Sequence, residues 1–169
     1  MPDDDLARRF GEVAGQLDPA MIVVTTASAG ERSGCLVGFH SQCSIDPSQY
    51  AVWISTANHT FGFVDAATWF AVHVLGEDDG PLAELFGGET GDVVDKFARC
   101  SWTEGPGGVP LIDDVASRFV GRKVAVHDFG GDHVCVVLEP IEVQVAPSTA
   151  APSLRLGDEA DLTPGHPAE

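Results

Sequence analysis

Apolar residues recur along this chain at two spacings, and each spacing predicts a different element. Between Asp3 and Leu17, Leu6, Phe10, Val13 and Leu17 follow one another at three- and four-residue steps. That is the period of an amphipathic helix, with Asp3–Asp5 suited to its first turn and Asp18-Pro19 ending it. Met21–Ala27 is β-branched and predicts a strand, followed by a hairpin-like turn, Ser28-Ala29-Gly30-Glu31-Arg32. From Gly34 the text reads as strand, polar loop, strand, with the second strand at Tyr50–Ser55. A short helix is expected over Phe61–Ala67, a strand over Trp69–Leu75, and helices over Glu77–Phe86 and Asp92–Phe97. In the last of these, Val93, Val94 and Phe97 are expected to face inward. Trp102–Pro110 is rich in Gly and Pro and reads as loop. Ser117–His127 and Val134–Val145 are long strand candidates on either side of the turn Asp128–Asp132.

Strands outnumber helices, and no regular βαβ alternation occurs. This predicts a mainly β barrel or sandwich decorated by short helices, not a doubly wound sheet. The expected division is one domain over 1–145, with the helix at 3–17 as an N-terminal addition, then a Pro-rich extended tail over 146–169. Leu154, Leu156 and Leu162 are the apolar anchors of that tail, to dock on the body or on a partner subunit.

Composition narrows the partners. A formal net charge of −17 repels nucleic acid and anionic membranes, so neither is expected as a partner, but one small phosphate ester held by local donors remains compatible. The N-terminus lacks a signal-peptide core and no run is long enough to span a bilayer, which predicts a cytoplasmic protein. Cys35, Cys43, Cys100 and Cys135 form no CxxC pair and read as buried free thiols. His40 and Cys43 alone cannot make a metal site, so none is expected.

The candidate chemistry lies in Gly34–Thr60. Val37 and Phe39 are interrupted by Gly38, His40, Ser41 and Gln42, a small and polar strand end whose backbone amides can meet a flat ligand. Beyond the next strand, Asn58, His59 and Thr60 open a helix with hydrogen-bond donors, a natural seat for a phosphate. An ordinary helix cap also accounts for those three residues. His133, after Gly130-Gly131-Asp132, stands at a strand mouth where it can approach a ring or shuttle a proton, and a plain turn residue is the alternative. His73 reads as a buried structural histidine, and Trp53, Trp69 and Trp102 as core or rim packing. No paired-carboxylate catalyst, GxGxxG, phosphate-loop or GxSxG motif is present.

In order and spacing, MIVVTTA, SIDPSQYAVWIS, NHT, FAVHVL with EDDGPLAELFGG, the DKFA and WTEGPGGVPLI region, and GDHVCVVLEPIEV resemble the flavin reductase-like family. The likeness runs from about Ala20 to Val145. It implies a Greek-key FMN-binding split barrel working as a homodimer. FMN (FAD is the alternative) would be reduced by NAD(P)H, and a separate monooxygenase is the implied recipient of reduced flavin. By that resemblance Leu36, Gly38, Phe39 and His40, with Ser41 and Gln42 beyond, lie along the flavin ring. Ser55, Asn58, His59 and Thr60 meet the phosphate, and His133 lines the nicotinamide site as the catalytic candidate. The chain departs from the family where Leu36, Gly38 and Phe39 replace hydroxyl residues and where His59 replaces a frequent Arg or Lys, which makes phosphate affinity pH-dependent. A non-catalytic flavin, deazaflavin or haem carrier on the same scaffold is the second expectation, with His40 or His133 as haem ligands.

Overall fold

A computed structural model describes residues 4–147 and 152–159. Nine strands form: β1 (Ile22–Ser28), β2 (Glu31–Val37), β3 (His40–Ile45), β4 (Ser48–Ser55), β5 (Trp69–Val74), β6 (Trp102–Glu104), β7 (Pro110–Ile112), β8 (Ser117–Asp128) and β9 (His133–Gln144). Two α-helices, α1 (Asp4–Gly15) and α2 (Gly80–Gly88), accompany them. Seven strands make one antiparallel sheet in the order β2-β1-β5-β8-β9-β4-β3, and β6 pairs with β7 apart from it.

The two edges of that sheet, β2 and β3, are joined by only Gly38 and Phe39. So short a link forces the sheet to curl until its edges meet, and Trp53 N–H donates to Phe39 O at 2.9 Å across the closing corner. The long β8–β9 hairpin is shared between two neighbours. The first half of β8 pairs with β5, and the first half of β9 pairs with β4. Register shifts at Val120/Gly121 and Lys123/Ala125 bend the hairpin between its two halves. The result is a split barrel.

Alternation along β1 explains why its sequence is an unbroken apolar run. Ile22 and Val24 point into the barrel with Val52, Ile54, Phe70, Val72, Val136 and Leu138. Met21 and Val23 point the other way, into a second core with Phe86 of α2, Phe97, Ile112 and Leu154. The β1–β2 turn is two residues, Ala29 and Gly30, both at positive φ, which matches the twist of the strands it joins.

The tail is tied down as far as it is described. Met21 N–H donates to Leu154 O, and Leu154 N–H to Leu75 O, each at 2.8 Å, so residues 153–155 bridge two segments of the body. Leu154 is buried in the second core and Leu156 packs beside it, whereas Leu162 lies outside the described residues.

Several expectations are corrected. His40–Gln42 is not loop but strand β3, an edge strand with both faces largely wet and therefore without apolar alternation. The helix expected over Phe61–Ala67 is a 3-10 turn, His59–Phe63. The segment 92–97 forms only a 3-10 turn at Lys96–Ala98, and Val93 is 81% exposed while Phe97 is buried. Part of the expected loop 102–110 pairs as β6 and the start of β7. All four cysteines are free, but Cys43 is exposed on β3. The apolar stripe of α1 lies exposed on the single chain: Leu6, Phe10, Val13 and Leu17 are all open to solvent. Among the described residues no helix is long and apolar enough to cross a membrane.

Candidate functional site

At the corner where β2 turns into β3, a hollow of about 250 Å³ opens against the ends of β4 and β9. Its walls include Leu36, Gly38, Phe39, Trp53, Ser55, Asn58, His133 and Leu156. The register explains the convergence: Ser55 is the Cα partner of His133, and Trp53 that of Cys135. Lys96 Nζ donates to Gly34 O at 3.1 Å, which shows that the Gly34 carbonyl faces outward from the sheet edge. Alternation along the antiparallel strand then turns the peptide group of Leu36 to that same open edge.

His133 is oriented by its neighbour. Nδ1–H donates to Asp132 Oδ1 at 2.7 Å, leaving Nε2 as the acceptor of a neutral ring. This bond holds the Asp132 carboxyl below the usual carboxylate range. The imidazole also sits 5.0 Å from the ring of Phe39, so the two rings form one aromatic wall.

Behind Asn58 the site narrows to a throat of about 30 Å³ between His59, Gly91 and Lys96, then widens to a hollow of about 400 Å³. Gly91 is required there, because a Cβ would lie 2.7 Å from His59 Nδ1. Asn58 Oδ1 accepts from Thr60 N–H at 2.9 Å, the cap expected for the turn, and its amide nitrogen has no partner among the described residues. His59 Nδ1 lies 3.1 Å from Ser33 Oγ, and its Nε2 3.7 Å from Asp92 Oδ1. Lys96, 4% exposed, also donates to Phe86 O at 3.0 Å, and burial lowers its pKa. Two of its three N–H donors are thereby used.

The candidate residues therefore divide. Leu36, Gly38, Phe39, Ser55, Asn58 and His133 share one hollow, with His59 at the throat behind it. Thr60 is fully buried, bonded to Ser33 Oγ at 2.8 Å, and serves as internal support. The His40 side chain is committed elsewhere: Nδ1 pairs with Tyr50 Oη at 2.6 Å and Nε2 with Ala20 O at 2.5 Å, so neither nitrogen is free to ligate haem. Ser41 and Gln42 bond within their own exposed strand and do not line the hollow. Sequence reasoning missed Trp53 and Leu156 on the hollow, and Ser33, Gly91 and Lys96 behind it. The isolated leucines of a Pro-rich tail signal docking, but nothing in the sequence says where.

The wall chemistry fits a flat heteroaromatic ring. Apolar faces come from Leu36, Phe39, Trp53 and Leu156, and polar groups converge at the rim from Ser55, Asn58 and His133. The donors at the throat fit a phosphate. A mononucleotide-binding split barrel is the class that this fold and these groups define. The model of the flavin reductase like domain matches residues 15–159, and the chain belongs to that family. The chain is 29% identical over 126 residues, 75% of its length, to a protein of Rhodococcus jostii named flavin-dependent monooxygenase, reductase subunit HsaB. It is 30% identical over 128 residues, 76% of its length, to FMN reductase (NADH) RutF of Methylorubrum extorquens. It spans 63% and 62% of the lengths of these two relatives. Among solved structures, NADH:FAD oxidoreductase SgcE6 of Streptomyces globisporus superposes with a TM-score of 0.77 over 88% of this chain and 87% of that one, at 23% identity, a likeness of fold.

Proposed function

We propose that this chain is an NAD(P)H-dependent flavin reductase that releases reduced flavin to a separate monooxygenase. The observation that carries the reading is the convergence of Leu36, Gly38, Phe39, Ser55, Asn58 and His133 on one hollow, with phosphate-suited donors directly behind it. Family membership and the names of the relatives point the same way. Bound there, FMN or FAD supplies a ring that accepts hydride from a nicotinamide. The chain's own part is binding and orientation. Leu36, Trp53 and Leu156 exclude water from one side of the site, and the open edge of β2 presents peptide groups to the ring's polar rim. Asn58 and His59 hold the phosphate end. His133, fixed by Asp132, takes the carboxamide side of the nicotinamide with Nε2. Hydride transfer requires contact between the two rings and no protein acid or base, which agrees with the lack of a carboxylate pair in the hollow.

His133→Ala is expected to raise the KM for NADH on the order of tenfold, about 1.4 kcal/mol of nicotinamide binding, while flavin affinity changes by less than about twofold. Steady-state NADH oxidation by the flavin-reconstituted protein, with a parallel flavin titration, decides it. Loss of flavin instead of nicotinamide affinity would place His133 on the other side of the ring.

The functional unit in this reading is a cytoplasmic homodimer. Its support is an open strand edge bearing Ile141 and Val143, followed by Val145, all exposed, together with the uncovered stripe of α1. Four free thiols agree with a reducing compartment. Sedimentation equilibrium should return twice the chain mass at micromolar concentration, and a single-chain mass would remove the dimer from the account.

A further inference from the structure

The hollow beyond the throat is larger than the one that suits the ring, and a mononucleotide leaves it unused. Ligand sites for whole small molecules enclose about 300–1,000 Å³. The ring hollow, at about 250 Å³, falls short of that, so the remainder of any nucleotide must continue past Asn58 and His59. A mononucleotide ends at its single phosphate, which the throat would already hold. A further 400 Å³ of space remains beyond it.

The lining of that space is selective. Of the chain's nine Lys and Arg residues, Arg32 and Lys96 both face it, alongside His59, in a molecule of net charge −17. The Arg32 guanidinium rests 4.6 Å from the centre of the Trp102 ring. None of its donors has a partner among the described residues, so the fork is oriented and free for a pyrophosphate. Glu31 and Asp92 also line the space, and carboxylates accept hydrogen bonds from ribose hydroxyls. A neighbouring hollow of about 500 Å³ on the other flank of His59, between Ser28 and Phe63, carries neither a lysine nor an arginine and lacks this chemistry.

We infer that the hollow lined by Arg32, His59 and Lys96 receives the adenosine-diphosphate half of a dinucleotide whose redox ring lies in the smaller hollow. The inference rests on the flavin-reductase reading and extends it from the ring to the remainder of the ligand. Two dinucleotides carry this group, FAD and the pyridine nucleotide, and the experiment separates them.

Wild type and Arg32→Ala, an exposed substitution outside both cores, are titrated with FMN, FAD, NADH and ADP, following flavin fluorescence and binding heat. FAD is expected to bind the wild type at least about tenfold more tightly than FMN does. Arg32→Ala is expected to weaken FAD by about tenfold while moving FMN by less than about twofold, and ADP to compete with FAD. A second variant, Val93→Trp, which crowds the hollow from its rim, should reproduce that split. If ADP competes with NADH alone, and both variants weaken NADH alone, the group belongs to the pyridine nucleotide and the site stands. If FMN binds but the variants leave FAD and NADH unchanged, or weaken FMN and FAD equally, the adenosine-diphosphate site is overturned and the flavin reading survives. If no flavin binds at all, both fall.

Discussion

Ser55→Trp is expected to abolish flavin binding, with affinity reduced on the order of a hundredfold, while the barrel still folds. Ser55 ends β4, is the Cα partner of His133, and lines the hollow of about 250 Å³. An indole brings roughly the area of a buried aromatic, about 150–250 Å², into that space and competes with the ring for the same walls. A hundredfold loss corresponds to about 2.7 kcal/mol, well within what an occluded site forfeits. The fold tolerates the change because Ser55 belongs to none of the buried clusters and its hydroxyl accepts only the Ala57 amide, at 3.3 Å. Thermal unfolding followed by circular dichroism separates the two effects. An unchanged melting temperature with lost flavin supports the account, and unchanged flavin affinity removes the hollow from it.

Acid is expected to destabilise the protein through one buried side chain. His73, on β5, is fully buried between β1 and β7. Its Nδ1–H donates to Val23 O at 3.1 Å, and its Nε2 accepts from Ile112 N–H at 3.0 Å, so the neutral ring satisfies both strands. Burial pushes its pKa down to about 4 from 6.5, with the Val23 carbonyl opposing the shift and the charge of Arg118 adding to it. The folded pKa is the lower one, so below about 6.5 the unfolded chain takes up a proton that the native state refuses. Stability from this residue is complete above pH 6.5 and is lost as the pH falls toward 4, below which both states are protonated. Between pH 6.5 and 5 the loss is about 2 kcal/mol. Urea unfolding of wild type and His73→Gln at the two pH values tests this, because a glutamine amide can donate to Val23 and accept from Ile112 without titrating. The variant should lack this component of acid sensitivity. Identical pH slopes in both proteins would contradict the assignment.

How far the structure was legible in the sequence depended on how each segment is buried. β1, β5, β8 and β9 carry β-branched runs because the barrel or a second core covers them, and such runs declare themselves. β3 has solvent on both sides, so its pattern is polar and it read as loop. Val93 and Phe97 share an apolar stretch, but a stretch that short does not say which residue turns inward. The tail announced Leu154 and Leu156 as anchors without saying that one would enter the second core and the other would wall the hollow. The site was legible where backbone and small residues make it: Leu36, Gly38, Phe39, Ser55, Asn58 and His133 converge. His40 was misleading because a histidine beside a polar strand end looks available, and only the three-dimensional placement of Ala20 and Tyr50 shows that both nitrogens are taken. Lys96 was invisible because its role comes from the carbonyls of Gly34 and Phe86, which the fold brings together across long sequence separations.

Everything functional here depends on the small hollow at the β2–β3 corner being built for a flavin ring. Equilibrium titration of the purified wild-type chain with FMN and FAD, read by quenching of flavin fluorescence, addresses it directly. Saturable binding of one flavin per chain, with a dissociation constant of about 1 μM or tighter for at least one of the two, is the predicted result. No saturable binding of either flavin up to about 1 mM would contradict it.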